Sequence, residues 1–328
     1  MNTISSPLDL IQLLVGYQPA ATISTASRLG LFDALTDQPQ PASEIAKYLA
    51  VDDSNLEALL RALVQLGLVS HSDGEFAATP FSANYLQNNS DLDMIIRKEA
   101  FFSTAWSRLD EVVRSGHPIL PPWKERLHAR SSQATEFLYA LDALARLTGP
   151  PLAELPELTR GRILDVGGGL GTYSRALAEA GSTTVLVDLP DVIELARDHL
   201  ADLPAGSVEF VAADIFSESA CGIEIESVDA ALVSHMLHDY PKETGVELLR
   251  SANRAIRPGG FVVVNDFAND TGPAAFGGLF DLMMRVETGG AAHSLATLGE
   301  MLLTSGFCDV RRVAFPDPIT VLIATKDS

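Results

Sequence analysis

The chain has 328 residues, 47% hydrophobic and 20% charged, enough for at least one sizeable core and for a split into two folding units. Its 23 Lys and Arg stand against 43 Asp and Glu, a formal charge of −20, which repels polyphosphates and anionic membrane surfaces and argues against a nucleic-acid partner. No apolar run reaches the roughly 18 residues of a membrane-spanning helix, the cysteines are Cys221 and Cys308, and Met1–Leu10 lacks the marks of a secretory signal, so a cytoplasmic protein with no membrane partner is expected.

Met1 to Leu35 is rich in Leu, Ile, Val and Ala and suits a dimer surface. Pro41 to Ala46 opens a short helix. Ser54 and Glu57 have capping-box spacing, and Leu56, Leu59, Leu60 and Leu63 follow at helical spacing, which predicts an amphipathic helix to about Gln65. Gly67–His71 and Glu75–Ala77 then flank Ser72-Asp73-Gly74, a hairpin turn signal. Two helices followed by a hairpin give the order of a winged helix. A DNA reader would need basic residues there, but residues 1–100 carry 5 Lys and Arg against 12 Asp and Glu, and the second helix offers Arg61 beside Asp52, Asp53 and Glu57. Residues 1–100 are therefore expected to be a helical, winged-helix-like dimerisation domain.

Residues 101–158 keep a helical pattern with breaks at Pro118–Pro122 and Gly149–Pro151, and read as connecting helices that line a substrate pocket. From 159 to 328 short apolar runs alternate with helical stretches: 163–166, 183–189, 208–212, 228–233 and 261–264. That alternation predicts a parallel sheet covered on both faces. The last runs, 310–315 and 319–324, are separated by Pro316-Asp317-Pro318, too short for a crossover helix, so one terminal strand should be antiparallel.

The first of these strands runs into Gly167-Gly168-Gly169-Leu170-Gly171 and then a helix. Glycines there let the backbone approach a ligand and present helix-start amides to it. A dinucleotide fingerprint would put its third glycine at Thr172; glycines at 167, 169 and 171, with Asp165 ahead of them, suit a nucleoside without a diphosphate. Asp188, followed by Leu189, ends the next strand and can hold ribose hydroxyls. Asp214 and Ile215 end the third, placed for an adenine amino group and its face. Together the three strand ends predict a pocket for S-adenosylmethionine.

Asp165-Val166-Gly167-Gly168-Gly169-x-Gly171, Val187-Asp188-Leu189-Pro190-Asp191, Asp214-Ile215-Phe216, Leu237-His238-Asp239-Tyr240 and Arg257-Pro258-Gly259-Gly260 resemble the caffeate-type O-methyltransferase family in order and spacing, over nearly the whole chain. The resemblance implies a class I, Rossmann-like α/β methyltransferase with a seven-stranded sheet whose last strand is reversed, and a homodimer exchanging N-terminal helices. It also implies that Asp188 holds the ribose, that Asp214 and Ile215 flank the adenine, and that Ser234 sits near the methionine end. His238 would be the general base on a phenol, with Asp266 as the first of two framing acids. The second acid normally lies in a Gly-Gly-Lys-Glu-Arg-Thr stretch; here Gly289-Gly290-Ala291-Ala292-His293-Ser294 puts Ala292 at that place.

His238, Asp239 and His293 offer two imidazoles and a carboxylate, the ligand set of a facial triad. A 2-oxo acid C-methyltransferase branch of the same family holds a divalent metal with such residues. The preferred expectation is accordingly metal-assisted C-methylation at the β-carbon of a 2-oxo acid, with iron(II) or zinc at His238, Asp239 and His293 stabilising an enolate. The alternative is O-methylation of a phenolic or enolic metabolite by His238 and Asp266, and a third is a non-catalytic winged-helix ligand sensor. Arg126 and Arg285 are the candidate cations for an anionic group of the small-molecule substrate.

Overall fold

The computed structural model describes residues 4–36, 38–128, 132–148, 150–217, 219–273 and 276–327. The chain forms two compact units, Met1–Thr104 with Tyr139–Leu144, and Ala105–Leu138 with Ala145–Ser328. The stretch 101–158 read as connecting helices, which takes in the end of the helix Asp91–Trp106 and the helices Leu109–Ser115, Trp123–His128 and Ser132–Thr148, is shared between the two. Among the described residues no helix is long and apolar enough to cross a membrane.

In the first unit the helices Ala42–Leu49 and Asp53–Gln65 precede a hairpin of β2 (Val69–Ser72) and β3 (Glu75–Ala78), with the short β1 (Gln40–Pro41) antiparallel to β3. Asp73 and Gly74 turn the hairpin with φ of 54° and 84°, as a two-residue type I′ turn requires. Ile45, Leu56, Leu60, Leu63 and Phe76 close the core. The second helix is capped by Asp52, whose carboxylate accepts the Asn55 N–H at 2.9 Å, not by Ser54 as its spacing suggested: an Asp just outside the helix reaches the same free amides. Arg61 is tied to Glu57 at 2.6 Å. The helix Pro7–Leu14 buries none of its residues, and Leu8, Ile11 and Leu14 are 61%, 55% and 64% exposed.

The second unit is built on seven strands: β4 (Arg162–Val166), β5 (Thr183–Asp188), β6 (Val208–Ala212), β7 (Val228–Ser234), β8 (Ile256–Phe267), β9 (Phe307–Val313) and β10 (Ile319–Lys326). Their order is β6-β5-β4-β7-β8-β10-β9. The pairings from β6 through to β8 are parallel, and β10 runs antiparallel to both β8 and β9, the reversed last strand expected from the sequence. Val166, Val187, Val233 and Val264 are buried in the sheet, with Leu248, Leu249 and Ala252 of the helix Lys242–Ala255 in the same core cluster, while Leu152, Leu158 and Leu177 pack in a second cluster with Ile163 and Val263.

Two strands depart from their apolar runs for identifiable reasons. β8 begins at Ile256, because Arg257-Pro258-Gly259-Gly260 carries it across a register shift opposite Val228 and Ala230. β9 begins at Phe307 because it is an edge strand whose residues alternate between cover and solvent, a pattern that an apolar-run reading misses. Strand order reverses between β4 and β7, so the carboxyl ends of β4, β5, β7 and β8 meet at the crevice where open α/β sheets take their ligands.

Candidate active site

On one side of the crevice the backbone does most of the work. β4 ends in the glycine loop, and Gly171 caps the helix Thr172–Glu179. Gly169 has φ of 57°, and a Cβ there would meet nothing within 4 Å, so the loop leaves open space at this point. The Gly169 N–H donates to Asp188 Oδ2 at 2.8 Å, and the Leu189 N–H donates to Asp188 Oδ1 at 2.7 Å. Burial nevertheless pushes the Asp188 carboxyl up to about 6, against the pull of those two amides.

Asp165 lies underneath, fully buried. Ser174 donates its hydroxyl to Oδ2 at 2.7 Å, while Oδ1 has no hydrogen-bond partner. Burial raises its carboxyl to about 6 as well, with the charge of Asp188 adding to the shift. Gly167 and Gly171 sit on the same turn with φ of 63° and 86°. At the end of β6, Ile215 is buried and Asp214 is held by Lys124 Nζ at 3.0 Å and by the Phe216 N–H at 3.1 Å. The acid expected to read an adenine amino group thus has a lysine partner that sequence reasoning did not foresee. Ser234 Oγ accepts from Asn265 Nδ2 at 2.8 Å at the end of β7.

These residues fit S-adenosylmethionine. A carboxylate fixed by two amides stands at the end of β5, an unmet buried oxygen lies beside the glycine loop, and at Gly169 the loop borders open space.

On the other side the groups are side chains. His238 is buried in a short turn after β7, and its Nδ1 lies 2.5 Å from Asp266 Oδ1. Asp266, near the end of β8, also accepts the Leu237 N–H at 3.1 Å and the Phe267 N–H at 2.7 Å. With Nδ1 donating to the carboxylate, Nε2 is the basic nitrogen. Burial alone would depress the imidazole, but the charge and hydrogen bond of Asp266, helped by Asp239 and Glu287, outweigh it and lift His238 to about 9. In return His238 overcomes the effect of burial on Asp266 and holds that carboxyl below its ordinary range. Asp239 Oδ1 is 3.8 Å from His238 Nε2, and burial pushes Asp239 up to about 6 although His238 and Arg126 pull it down. Phe280 meets the His238 ring edge-on at 5.0 Å, and Phe267 and Phe276 extend the aromatic wall.

Among the described residues His293 is not part of the group whose ligand atoms lie mutually within 4.8 Å. Its Nε2 lies 3.2 Å from the carbonyl oxygens of both Leu237 and Tyr240; carbonyls only accept, so Nε2 carries the proton and the ring's lone pair is on Nδ1. The ring instead staples the turn that carries His238. The residues around it serve the same end: the Ala291 N–H donates to the His238 carbonyl at 3.0 Å, and a Cβ on Gly290 would come within 2.3 Å of that oxygen, which accounts for the glycine. Among the described residues the group with metal-ligand atoms mutually within 4.8 Å is His235, His238 and Asp266, but there His238 Nδ1 and Asp266 are already bonded to each other.

Arg285 is also misplaced by the sequence reading: it is half exposed and paired with Asp281, four residues before it, at 3.0 Å, because helical spacing puts it on the outer face. Arg126, by contrast, is largely buried. Its guanidinium lies over the rings of Trp123 and Phe137 at 4.7 and 5.0 Å, and Nη1 is 3.4 Å from Glu287 Oε1. Glu287 was missed; the signal available was a glutamate ending a helix just before the glycine pair. His235 stands near the His238–Asp266 dyad, its ring centroid 6.1 Å from that of His238. It takes φ of 53°, its backbone N–H donates to the Asn265 carbonyl at 2.7 Å, and burial drives its imidazole down to about 4, so it is neutral.

Residues 123–308 match the model of the O-methyltransferase domain, and residues 11–88 that of the O-methyltransferase dimerisation domain. The 3-hydroxy-5-methyl-1-naphthoate 3-O-methyltransferase of Streptomyces sahachiroi is 30% identical over 327 residues, covering 95% of this chain and 92% of its own. Among solved structures, an O-methyltransferase family protein from Burkholderia thailandensis is 25% identical with a TM-score of 0.88 over 99% of each chain. PigF with SAH is 25% identical with a TM-score of 0.87, over 98% of this chain and 100% of that one.

Proposed function

The chain belongs to the O-methyltransferase family and is an S-adenosylmethionine-dependent methyltransferase, and from that premise we propose that it methylates a phenolic or enolic oxygen of a small aromatic metabolite, with His238 as general base. The observation that carries this reading is the 2.5 Å contact between His238 Nδ1 and Asp266 Oδ1, which orients the ring and leaves Nε2 to take the hydroxyl proton. An imidazole near 9 is close to a phenol near 10, so the proton passes between groups of similar basicity.

Asp188 would hold the ribose hydroxyls, Asp214 and Ile215 the adenine, and the Gly167–Gly171 loop, Asp165 and Ser234 the methionine end. S-adenosylmethionine, when bound, supplies a methyl group that is already electrophilic and needs in-line alignment. What the chain adds is a fixed base, an aromatic wall of Phe267, Phe276 and Phe280 against which a flat acceptor packs, and exclusion of water. The S. sahachiroi relative's name states that it methylates the hydroxyl of a hydroxynaphthoate, which supports a hydroxy-aromatic acceptor.

Metal-assisted C-methylation has less support, since the His293 Nε2 proton is given to two carbonyls. The exposed apolar helix Pro7–Leu14, within the part that matches the dimerisation domain in its later residues, supports a homodimer formed through the first unit, and the winged-helix order is a scaffold there. Product analysis decides the chemistry: incubation with S-adenosylmethionine and a panel of hydroxynaphthoates, phenols and 2-oxo acids is expected to give methyl ethers by NMR. C-methylated 2-oxo acids as the only products would overturn the proposal.

A further inference from the structure

Asn265 is a buried amide that neither the cofactor pocket nor the base accounts for. It follows the apolar run 261–264 on β8 and is itself fully buried. Its Nδ2 lies 2.8 Å from Ser234 Oγ, 3.2 Å from Tyr173 Oη and 3.2 Å from His235 Nε2, while its Oδ1 has no hydrogen-bond partner. An unmet buried oxygen is costly, so the amide is kept for what its nitrogen does. An amide nitrogen only donates, so the His235 nitrogen facing it, Nε2, presents its lone pair and the ring's proton is on Nδ1. Nδ1 is buried without a partner, so among the described residues nothing on that side of the ring chooses the tautomer. Asn265 also holds the same residue by its main chain, since the His235 N–H donates to the Asn265 carbonyl at 2.7 Å.

This double grip matters because of where His235 stands. It is the first residue after β7 and takes φ of 53°, a left-handed conformation that residues other than glycine adopt rarely and keep only where their surroundings enforce it. The direction in which the chain leaves the sheet is set there, and with it the place of His238 three residues on. The His235 ring lies against the dyad: its ligand nitrogen is within 4.8 Å of those of His238 and Asp266, and its centroid is 4.6 Å from that of Phe267. Asp266 fixes the His238 ring directly. Asn265, one residue earlier on β8 and on the opposite face of the strand, fixes the turn that carries that ring.

We propose that Asn265 is a positioning residue for the base: by holding His235 in its Nδ1–H tautomer and left-handed backbone, it sets where His238 presents Nε2. The inference rests on the reading of His238 as the general base of O-methylation.

The test reads the rings first and turnover second. In protein labelled at histidine nitrogen and saturated with S-adenosylhomocysteine, imidazole NMR spectra are expected to show His235 as the neutral Nδ1–H tautomer, its signals assigned by their loss in His235→Gly. In Asn265→Leu, which keeps the bulk and removes the donor, His235 is expected to leave that tautomer and the His238 ring signals to move, although no hydrogen bond among the described residues joins Asn265 to His238. With an acceptor that the wild type methylates, Asn265→Leu is expected to lower kcat about tenfold, within what a misplacement of about 1 Å costs, with KM and S-adenosylhomocysteine affinity each within about threefold. His235→Gly is expected to lose a similar factor, and the double variant no more than either, because one residue acts through the other. An Nε2–H tautomer in the wild type, His238 signals unmoved by Asn265→Leu, additive losses in the double variant, or a fall in S-adenosylhomocysteine affinity that matches the fall in kcat would each overturn the proposal. Should Asn265→Leu fail to fold, the wild-type tautomer and His235→Gly carry the test, and full activity with unmoved His238 signals in His235→Gly would overturn it. Failure of every phenol and hydroxynaphthoate to be methylated would reject the O-methylation reading, while His238 signals displaced in Asn265→Leu would leave its positioning by Asn265 standing.

Discussion

The two sides of the sheet's crevice are made of different material. At the ends of β4 and β5 the site is mostly backbone: the Gly169 and Leu189 amides meet one carboxylate, Asp188, and Gly169 borders open space. At the ends of β7 and β8 it is charged side chains held by other side chains, His238 on Asp266, and the helices Trp123–His128 and Phe276–Glu287 carry a second such pair, Arg126 on Glu287. A backbone-built half tolerates changes of side chain and recognises a constant ligand. A half made of mutually dependent charges can be retuned one residue at a time, which suits the partner that differs from enzyme to enzyme. Substitutions should therefore separate cleanly: those on the first side should move cofactor affinity, and those on the second should move rate, pH dependence and acceptor choice.

The largest effect is expected at His238. His238→Ala should lower kcat by about 10²–10⁴-fold, the usual worth of a positioned base, while S-adenosylhomocysteine affinity measured by calorimetry stays within about threefold. A comparable loss of cofactor affinity would show that the two sides are not separate. Asp188→Asn should do the reverse. Losing a charged acceptor for ligand hydroxyls costs about 1.5–3 kcal/mol, or about 10–100-fold in cofactor Kd, with kcat at saturating cofactor changed much less.

The same contrast explains what could be read from the sequence. The cofactor side is local: Asp165 to Gly171 is one strand-to-helix turn, and Asp188 and Asp214 each end a strand that an apolar run reveals, so the sheet and this half of the site were legible. The winged-helix order was legible for the same reason, because Asp73-Gly74 specifies its turn by backbone conformation alone. The acceptor side is not local. Arg126 and Glu287 are 161 residues apart, and nothing in either segment announces the other. Residue type also misled where it was read without direction. His293 has the right ring for a metal ligand but spends its Nε2 proton on two carbonyls, and Arg285 has the right charge but faces Asp281.

A smaller, graded effect follows from the His238 shift. The folded-state pKa, about 9, is above the ordinary 6.5, so kcat/KM limited by the free base should rise with pH and level off near 9. Asp266→Asn removes the largest raising influence and should move that limb to lower pH while also lowering the plateau, since the ring loses its orientation. The sign for stability is opposite to that for rate. A histidine whose folded pKa is raised contributes stability that is fully present below 6.5 and is lost as pH climbs through 9. The wild-type melting temperature should accordingly decline across that window more steeply than that of Asp266→Asn. A rate limb near 6.5 in both proteins would mean that Asp266 holds the ring without tuning it.

The smallest effect on chemistry is expected from the residue that looked most like a metal ligand. If His293 is a staple, His293→Gln keeps a side-chain donor and should retain most of the activity, whereas His293→Phe removes it and leaves the Leu237 and Tyr240 carbonyls without that donor, at a cost of about 1–3 kcal/mol of folding stability. The turn carrying His238 would then loosen, and the resulting fall in rate should be matched by a fall in melting temperature. Dialysis against a strong chelator separates this from coordination. A staple predicts unchanged turnover after chelation in the wild type, because no step of the proposed proton transfer passes through His293. Loss of turnover that zinc or iron(II) restores, together with inactivity of His293→Gln in an intact fold, would instead make His293 part of the chemistry and would join the two sides of the crevice through a shared ion.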